Sequence, residues 1–232
     1  MDFTALPEGQ PTTSIGGWNL WVLPTVDTSW APVGAWQGAF VDLFKAAVAA
    51  VEDQWPLPEG VHAHVMLGGE QDALDWGVDG DALGFHALCS RQYDEESDED
   101  FLDLPDDHRC YINVVQHAKA VADDVNDEAS RLAALMTLPH EMGHLALFAI
   151  ESGGRSPLAV FDQEGGEVGI TNLLARIEEA SHADLDSAHG QAEDLVETFA
   201  SEVVDRWMEL PASTTLVAQL KPFKPSRRRS FR

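Results

Sequence analysis

His140, Glu141 and His144 stand in the order H-E-x-x-H within a chain of 232 residues. On an α-helix, residues four apart lie one turn apart on the same face, so the two imidazoles can grip one metal ion between them. Zinc suits imidazole ligands, and a catalytic zinc takes three protein ligands and leaves one position open to water. Glu141 falls on the flank between the histidines. From there it reaches a water at the open position without being a ligand, where a general base has to stand. The chemistry that this spacing supports is hydrolysis by a metal-activated water.

The histidines need a helix that holds them at the edge of a core. Their surroundings are apolar, and uncompensated His and Glu would cost a few kcal/mol to bury there. Leu138, Met142, Leu145 and Ala149 cluster on the face opposite the histidines, so one side packs inward and the other presents ligands to a cleft. A helical segment over Asn126–Leu138 runs into the motif, and the motif helix ends near Gly153-Gly154. Pro139 inside that run predicts a kink or a fresh helix start.

A third ligand has to come from elsewhere, and carboxylates are the supply. On the helix predicted over Gln191–Leu210, stopped by Pro211, the residues Ala192, Leu195, Val196, Phe199, Ala200, Val203, Val204 and Trp207 define one buried face. At about 100° per residue, Glu193 lies about 70° from the centre of that face, Glu197 about 110°, and Asp194 points nearly the opposite way. Glu193 is therefore the favoured third ligand, with Glu178 or Glu179 on a helix over Ile170–Ala180 next. Glu197, four residues on, is placed to hydrogen-bond a ligating histidine and fix its tautomer.

Upstream, the pattern is mixed. Trp18–Leu23 reads as a strand closed by Pro24. Phe40, Phe44, Ala47, Val48, Val51 and Trp55 recur at helical spacing over Gln37–Trp55. Val61–Leu67 alternates as a strand should, with His62 and His64 on one face and Ala63 and Val65 on the other. Ala82–Cys89 and Cys110–Val115 are further strand candidates. Between them, nine of the fourteen residues of Asp94–Asp107 are acidic and read as a solvated loop. The fold class is α+β: a small antiparallel or mixed sheet, an N-terminal helix, the motif helix and a C-terminal ligand helix. Residues 1–17 read as an irregular lead-in, 18–212 as one domain, and 213–232 as a basic, disordered tail.

Composition bounds the rest. Hydrophobic residues make up 44% and charged ones 23%, ordinary for a globular chain. No apolar run is long enough for a bilayer, and the start MDFTALPEGQ lacks a basic region before an apolar stretch, so no membrane span or secretory signal is expected. Two cysteines, Cys89 and Cys110, exclude a disulfide framework and suit a reducing, cytoplasmic setting. All 40 acidic residues precede Lys221, while six of the 14 basic ones follow from there. The body's charge of −32 repels nucleic acid and anionic membranes and tolerates a basic partner.

The histidine motif, preceded by strands and followed by a carboxylate-bearing helix, resembles the gluzincin group of zinc metallopeptidases. The order of elements is similar to the small zincin-like domains of bacterial ImmA/IrrE-type peptidases, over about residues 60–205. That resemblance implies a zinc metallopeptidase acting on a peptide or protein, with Glu141 as general base. It also implies a Glu ligand on a later helix and an acidic or amide residue four positions on, which Glu193 and Glu197 match. It further implies a His, Tyr or Arg that stabilises the oxyanion; Tyr111, His182, His189 and Arg206 are the candidates. The other histidines, His62, His64, His86, His108 and His117, read as structural or surface residues. A competing reading keeps the fold for binding alone, with the acidic surface holding a basic partner.

Overall fold

The computed structural model of the protein describes residues 6–87, 90–94, 99–119, 128–184 and 192–220. Strands β1 (Thr13–Ile15) and β2 (Trp18–Val22) open it, followed by helix α1 (Ala31–Gln54), strand β3 (Ala63–Gly68), the short helix α2 (Glu70–Asp75) and strand β4 (Gly84–Ala87). A hairpin of β5 (Ser90–Asp94) and β6 (Glu99–Asp103) leads to β7 (His108–Asn113) and α3 (Val114–Lys119). The remainder is helical: α4 (Glu128–Leu135), α5 (Thr137–Glu151), α6 (Pro157–Glu164), α7 (Glu167–Asp184), α8 (Ala192–Met208) and α9 (Pro211–Gln219).

The main sheet has the order β1-β2-β3-β7-β4. Its centre, β2, β3 and β7, is parallel, and both edges are antiparallel. This is an α+β architecture with a mixed sheet. One face, through Trp18, Leu20, Val65, Leu67 and Ile112, packs on α1, α3 and the apolar side of α5, and α8 packs in turn on α1 and α5. The other face, through Trp21, Met66, Ala87 and Tyr111, packs on Trp76. The strand expected over Val61–Leu67 is present as β3, and, covered on both sides, it is buried along its whole length. His64 is buried too, and its Nδ1 accepts a hydrogen bond from Trp21 Nε1 at 3.1 Å.

Helix α5 is the hub. Leu138, Met142, Leu145 and Ala149 are all fully buried, as the helical wheel requires. Each of the Leu and Met side chains contributes about 2 kcal/mol by leaving water. A second cluster of Phe148, Val160, Leu173, Ile177 and Ala192 ties α5 to α6, α7 and the start of α8. Pro139 sits in the first turn of α5, directly after a break at Met136, where its missing N–H leaves no bond unmade. The fresh start expected at Pro139 is therefore present. At the other end, Gly153 (φ 67°) and Gly154 (φ 82°) take the left-handed conformation that stops the helix.

Four boundaries differ from the sequence reading. Helix α1 begins at Ala31, with Pro32 in its first turn, rather than at Gln37. The acidic stretch from Asp94 includes strand β6, which pairs antiparallel with β5 through Gln92↔Phe101 and Tyr93↔Asp100. The β preference of the aromatic residues there outweighs the turn preference of the acids. Thr13–Ile15 pairs with β2 at the sheet edge instead of being irregular. The chain also stays ordered past residue 212: α9 places Val217 and Leu220 in the main core, so the basic segment begins after Leu220 rather than at 213. Residues 221–232 and Cys89 lie outside the described residues, while Cys110 is a buried free thiol.

Candidate metal centre

Helix α5 presents His140 and His144 one turn apart, with their Nε2 atoms 3.1 Å from each other. Helix α8 crosses this face and brings Glu193 between them. Its Oε1 lies 3.1 Å from His140 Nε2 and its Oε2 3.1 Å from His144 Nε2. Among the described residues, this is the one group of three or more His, Cys, Asp or Glu whose donor atoms come within 4.8 Å of one another. The third ligand favoured on the helical wheel is thus brought onto both histidines.

The donor set fits a zinc ion. Tetrahedral ligands at about 2.0–2.1 Å from zinc stand about 3.3–3.4 Å apart, close to the separations found here. Two imidazoles and one carboxylate are the donors that zinc favours. The side chains of His140 and His144 are about one-fifth exposed and that of Glu193 is 61% exposed, so the group opens to solvent.

Why α8 arrives here is a matter of packing. Val196 seats against the backbone of Gly143, which has no side chain to hold it off. The amide of Ala192, the first residue of α8, donates to Glu178 Oε2 at 3.0 Å, satisfying a free N–H of the first turn. Glu178, the alternative ligand, is occupied as a cap instead.

Glu141 is only 8% exposed and makes no hydrogen bond among the described residues. Burial, then the neighbouring Glu193 charge, pushes its carboxyl up to about 8. The backbone of Gly84 on β4 approaches it so closely that a Cβ there would lie 3.1 Å from Glu141 Cγ and 2.6 Å from Thr137 Cγ2. His144 is held below the usual histidine range, first by burial and then by His140.

A cavity of about 490 Å³ opens on this group, lined by Ala82, Leu83, Gly84, Thr137, His140, Glu141, Glu193 and Glu197 among others. Glu197 is exposed on its wall, and no hydrogen bond joins it to either histidine, so the tautomer-fixing contact expected of it is not made. Its place farther round α8 puts it at the cavity wall rather than behind the imidazoles. Tyr111 and Arg206 do not line this cavity: Tyr111 is buried and stacks on Phe85, and Arg206 pairs with Glu202. Neither the side chain of His182 nor residue His189 is among those described.

His86, read from the sequence as a structural or surface residue, comes near His144 where β4 packs on α5. It is half-buried on β4 with its Nε2 closed off from solvent and unpartnered, and its ring packs edge-on against Phe148. Burial, with His144 and His108 nearby, pushes its pKa down to about 3. Nothing in the local pattern of Ala82–Cys89 links it to residue 144; the link is made when β4 packs on α5. No helix among the described residues is long and apolar enough to cross a membrane. Comparison with protein-family models, curated proteins and solved structures returns no match to this chain.

Proposed function

We propose that the chain is a zinc-dependent metallopeptidase of the gluzincin kind, with His140, His144 and Glu193 as ligands and Glu141 as general base. The observation that carries this reading is the convergence of three donor atoms beside a buried, unbonded carboxylate at the wall of an open cavity. A scaffold that merely bound metal would have no use for that carboxylate, which costs free energy to hold in the interior.

Zinc held by these ligands supplies a Lewis acid that activates water against a carbonyl. Glu141 takes the proton of the attacking water and passes it to the leaving amine. Its closeness to Gly84 fixes where that carboxylate sits. The edge strand β4 supports a peptide as substrate: among the described residues it pairs only with β7, and its first residue Gly84, with Leu83 just before it, forms part of the cavity wall. An extended peptide can add to such an edge through main-chain hydrogen bonds.

The test is to measure zinc by elemental analysis, then incubate the zinc-loaded protein with a mixed peptide library, with and without chelator. One zinc per chain and new peptide termini that vanish with chelator are expected. Unchanged zinc in the double variant His140→Ala/His144→Ala would remove the metal assignment.

A further inference from the structure

We infer that Glu197 is a specificity residue that seats a cationic group of the substrate beside the metal centre. The inference rests on the metallopeptidase reading and names the kind of peptide that the site takes.

The acidic side chains lining the cavity are Glu141, Glu193 and Glu197, with no Lys or Arg among the lining residues. Two of the three have other tasks. Glu193 spends both oxygens on the histidines, and Glu141 is buried. Bound zinc brings two positive charges, which these two carboxylates balance. The cavity is then left with the charge of Glu197 alone.

Glu197 stands one turn along α8 from Glu193, on the same side of the helix. It is exposed, and among the described residues it has neither a hydrogen bond nor an ion pair. On the same helix Glu202 pairs with Arg206, while Asp194 and Asp205, also exposed, do not line the cavity. Four other cations of the body are engaged elsewhere, Lys119 with Glu70, Arg155 with Glu164, Arg176 with Glu151 and Arg109 with Asp107. A free carboxylate on a cavity wall, within one helical turn of a ligand, is complementary to an ammonium or guanidinium group. The chain's strong negative charge draws cationic peptides toward that wall.

That group can be a Lys or Arg side chain, or the free amino terminus of the peptide. Both present the same charge to Glu197, and acetylating the peptide tells them apart. The seat lies beside the reacting carbonyl and not on it. It therefore acts on substrate and transition state alike and shows in KM rather than kcat.

The test pairs binding with cleavage. Peptides carrying Lys or norleucine at each position, with free or acetylated amino termini, are titrated by fluorescence anisotropy against zinc-loaded protein. The protein backgrounds are wild type, Glu197→Gln, Glu197→Lys and the Glu141→Gln form. We expect the cationic peptides to bind about tenfold more tightly than the neutral ones at low salt, and the preference to shrink as salt rises. Glu197→Gln should abolish the preference and Glu197→Lys should reverse it toward acidic peptides, with zinc content unchanged. Loss of preference on acetylation assigns the seat to the amino terminus; persistence assigns it to a side chain. A preference that survives Glu197→Gln, or no preference in the wild type, overturns the inference even if chelator-sensitive cleavage is found. A Glu197-dependent preference without any cleavage upholds the seat and removes the peptidase reading.

Discussion

Gly143 and Val196 meet with no side chain between them: a Cβ on Gly143 would lie 2.9 Å from Val196 Cγ1 and 3.3 Å from Trp55 Cζ3. This contact lies between the two histidines on α5 and one turn beyond Glu193 on α8. It sets the distance across which the carboxylate reaches the imidazoles. In an ordinary helix, Gly→Ala stabilises by about 1 kcal/mol. Here overpacking opposes that gain, typically by about 1–3 kcal/mol. Gly143→Ala should weaken zinc binding by tenfold or more and lower the melting temperature of the metal-free protein. Gly38, exposed on α1 with nothing within 4 Å of an added Cβ, is the control, and Gly38→Ala should raise stability. Zinc affinity in Gly143→Ala equal to wild type would show that this close approach does not position Glu193.

Three carboxylates near the centre have separable roles. Glu193→Ala removes the oxygens that touch both histidines and should cost at least a hundredfold in zinc affinity. Glu178→Ala removes the acceptor for the Ala192 amide and should cost about 1 kcal/mol of stability, as cap losses do, with zinc binding nearly intact. Glu197→Ala should leave zinc affinity within a few-fold of wild type, because it contacts neither histidine. Calorimetric zinc titrations of the three variants side by side provide the ranking, and Glu197→Ala losing zinc as severely as Glu193→Ala would return Glu197 to the metal.

Glu141→Gln keeps the shape of the side chain and removes its ability to take a proton. Zinc should remain, and peptide turnover should fall by about 10² to 10⁴, the usual worth of a general base. The amide is also easier to bury than the carboxylate, which is 8% exposed and unbonded. Glu141→Gln should therefore be more stable to urea at pH 9 than wild type in the absence of metal. Full turnover in this variant would assign the base elsewhere.

The candidate metal centre was legible where local geometry decides. Four-residue spacing puts His140 and His144 on one face, and the apolar stripe of α8 places Glu193 at the edge of its buried face; neither argument needs the rest of the fold. Long-range pairing was not legible. That β4 lies at the sheet edge beside β7, although β5 and β6 intervene in sequence, depends on packing against α5 at Gly84. The position of His86 beside the centre follows from the same event. Helix α6 did carry a local signal: Ser156 caps it by accepting from Ala159 N, Pro157 opens it, and Gly165 closes it at φ 89°. Those marks were overlooked because the helix is eight residues long and weakly periodic. Glu197 shows the limit of a wheel argument, which fixes direction around α8 but not how far a side chain must reach to touch an imidazole.

His117 offers a measurement independent of metal. It is fully buried between Trp36 and Phe40, with ring centroids 5.1 and 4.9 Å away. Its Nδ1 lies 2.8 Å from the Asn113 carbonyl, and its Nε2 lies 3.2 Å from the Ala134 carbonyl and 3.3 Å from Thr137 Oγ1 at the start of α5. Burial pushes its pKa down to about 4, against 6.5 in an open chain. Between these values the unfolded chain holds a proton that the folded one does not, so stability rises with pH across that window. The contribution is complete above pH 6.5 and is lost as pH falls toward 4, about 3 kcal/mol in all. His117→Gln keeps a donor for Asn113 but does not titrate. Urea denaturation at pH 7 and pH 5 should show wild type losing about 2 kcal/mol more than His117→Gln over that interval, the other buried histidines being common to both proteins. Equal losses in the two proteins would mean that His117 takes up its proton in the folded state near its ordinary pKa, and that the site between Trp36 and Phe40 is wetter than the structure shows.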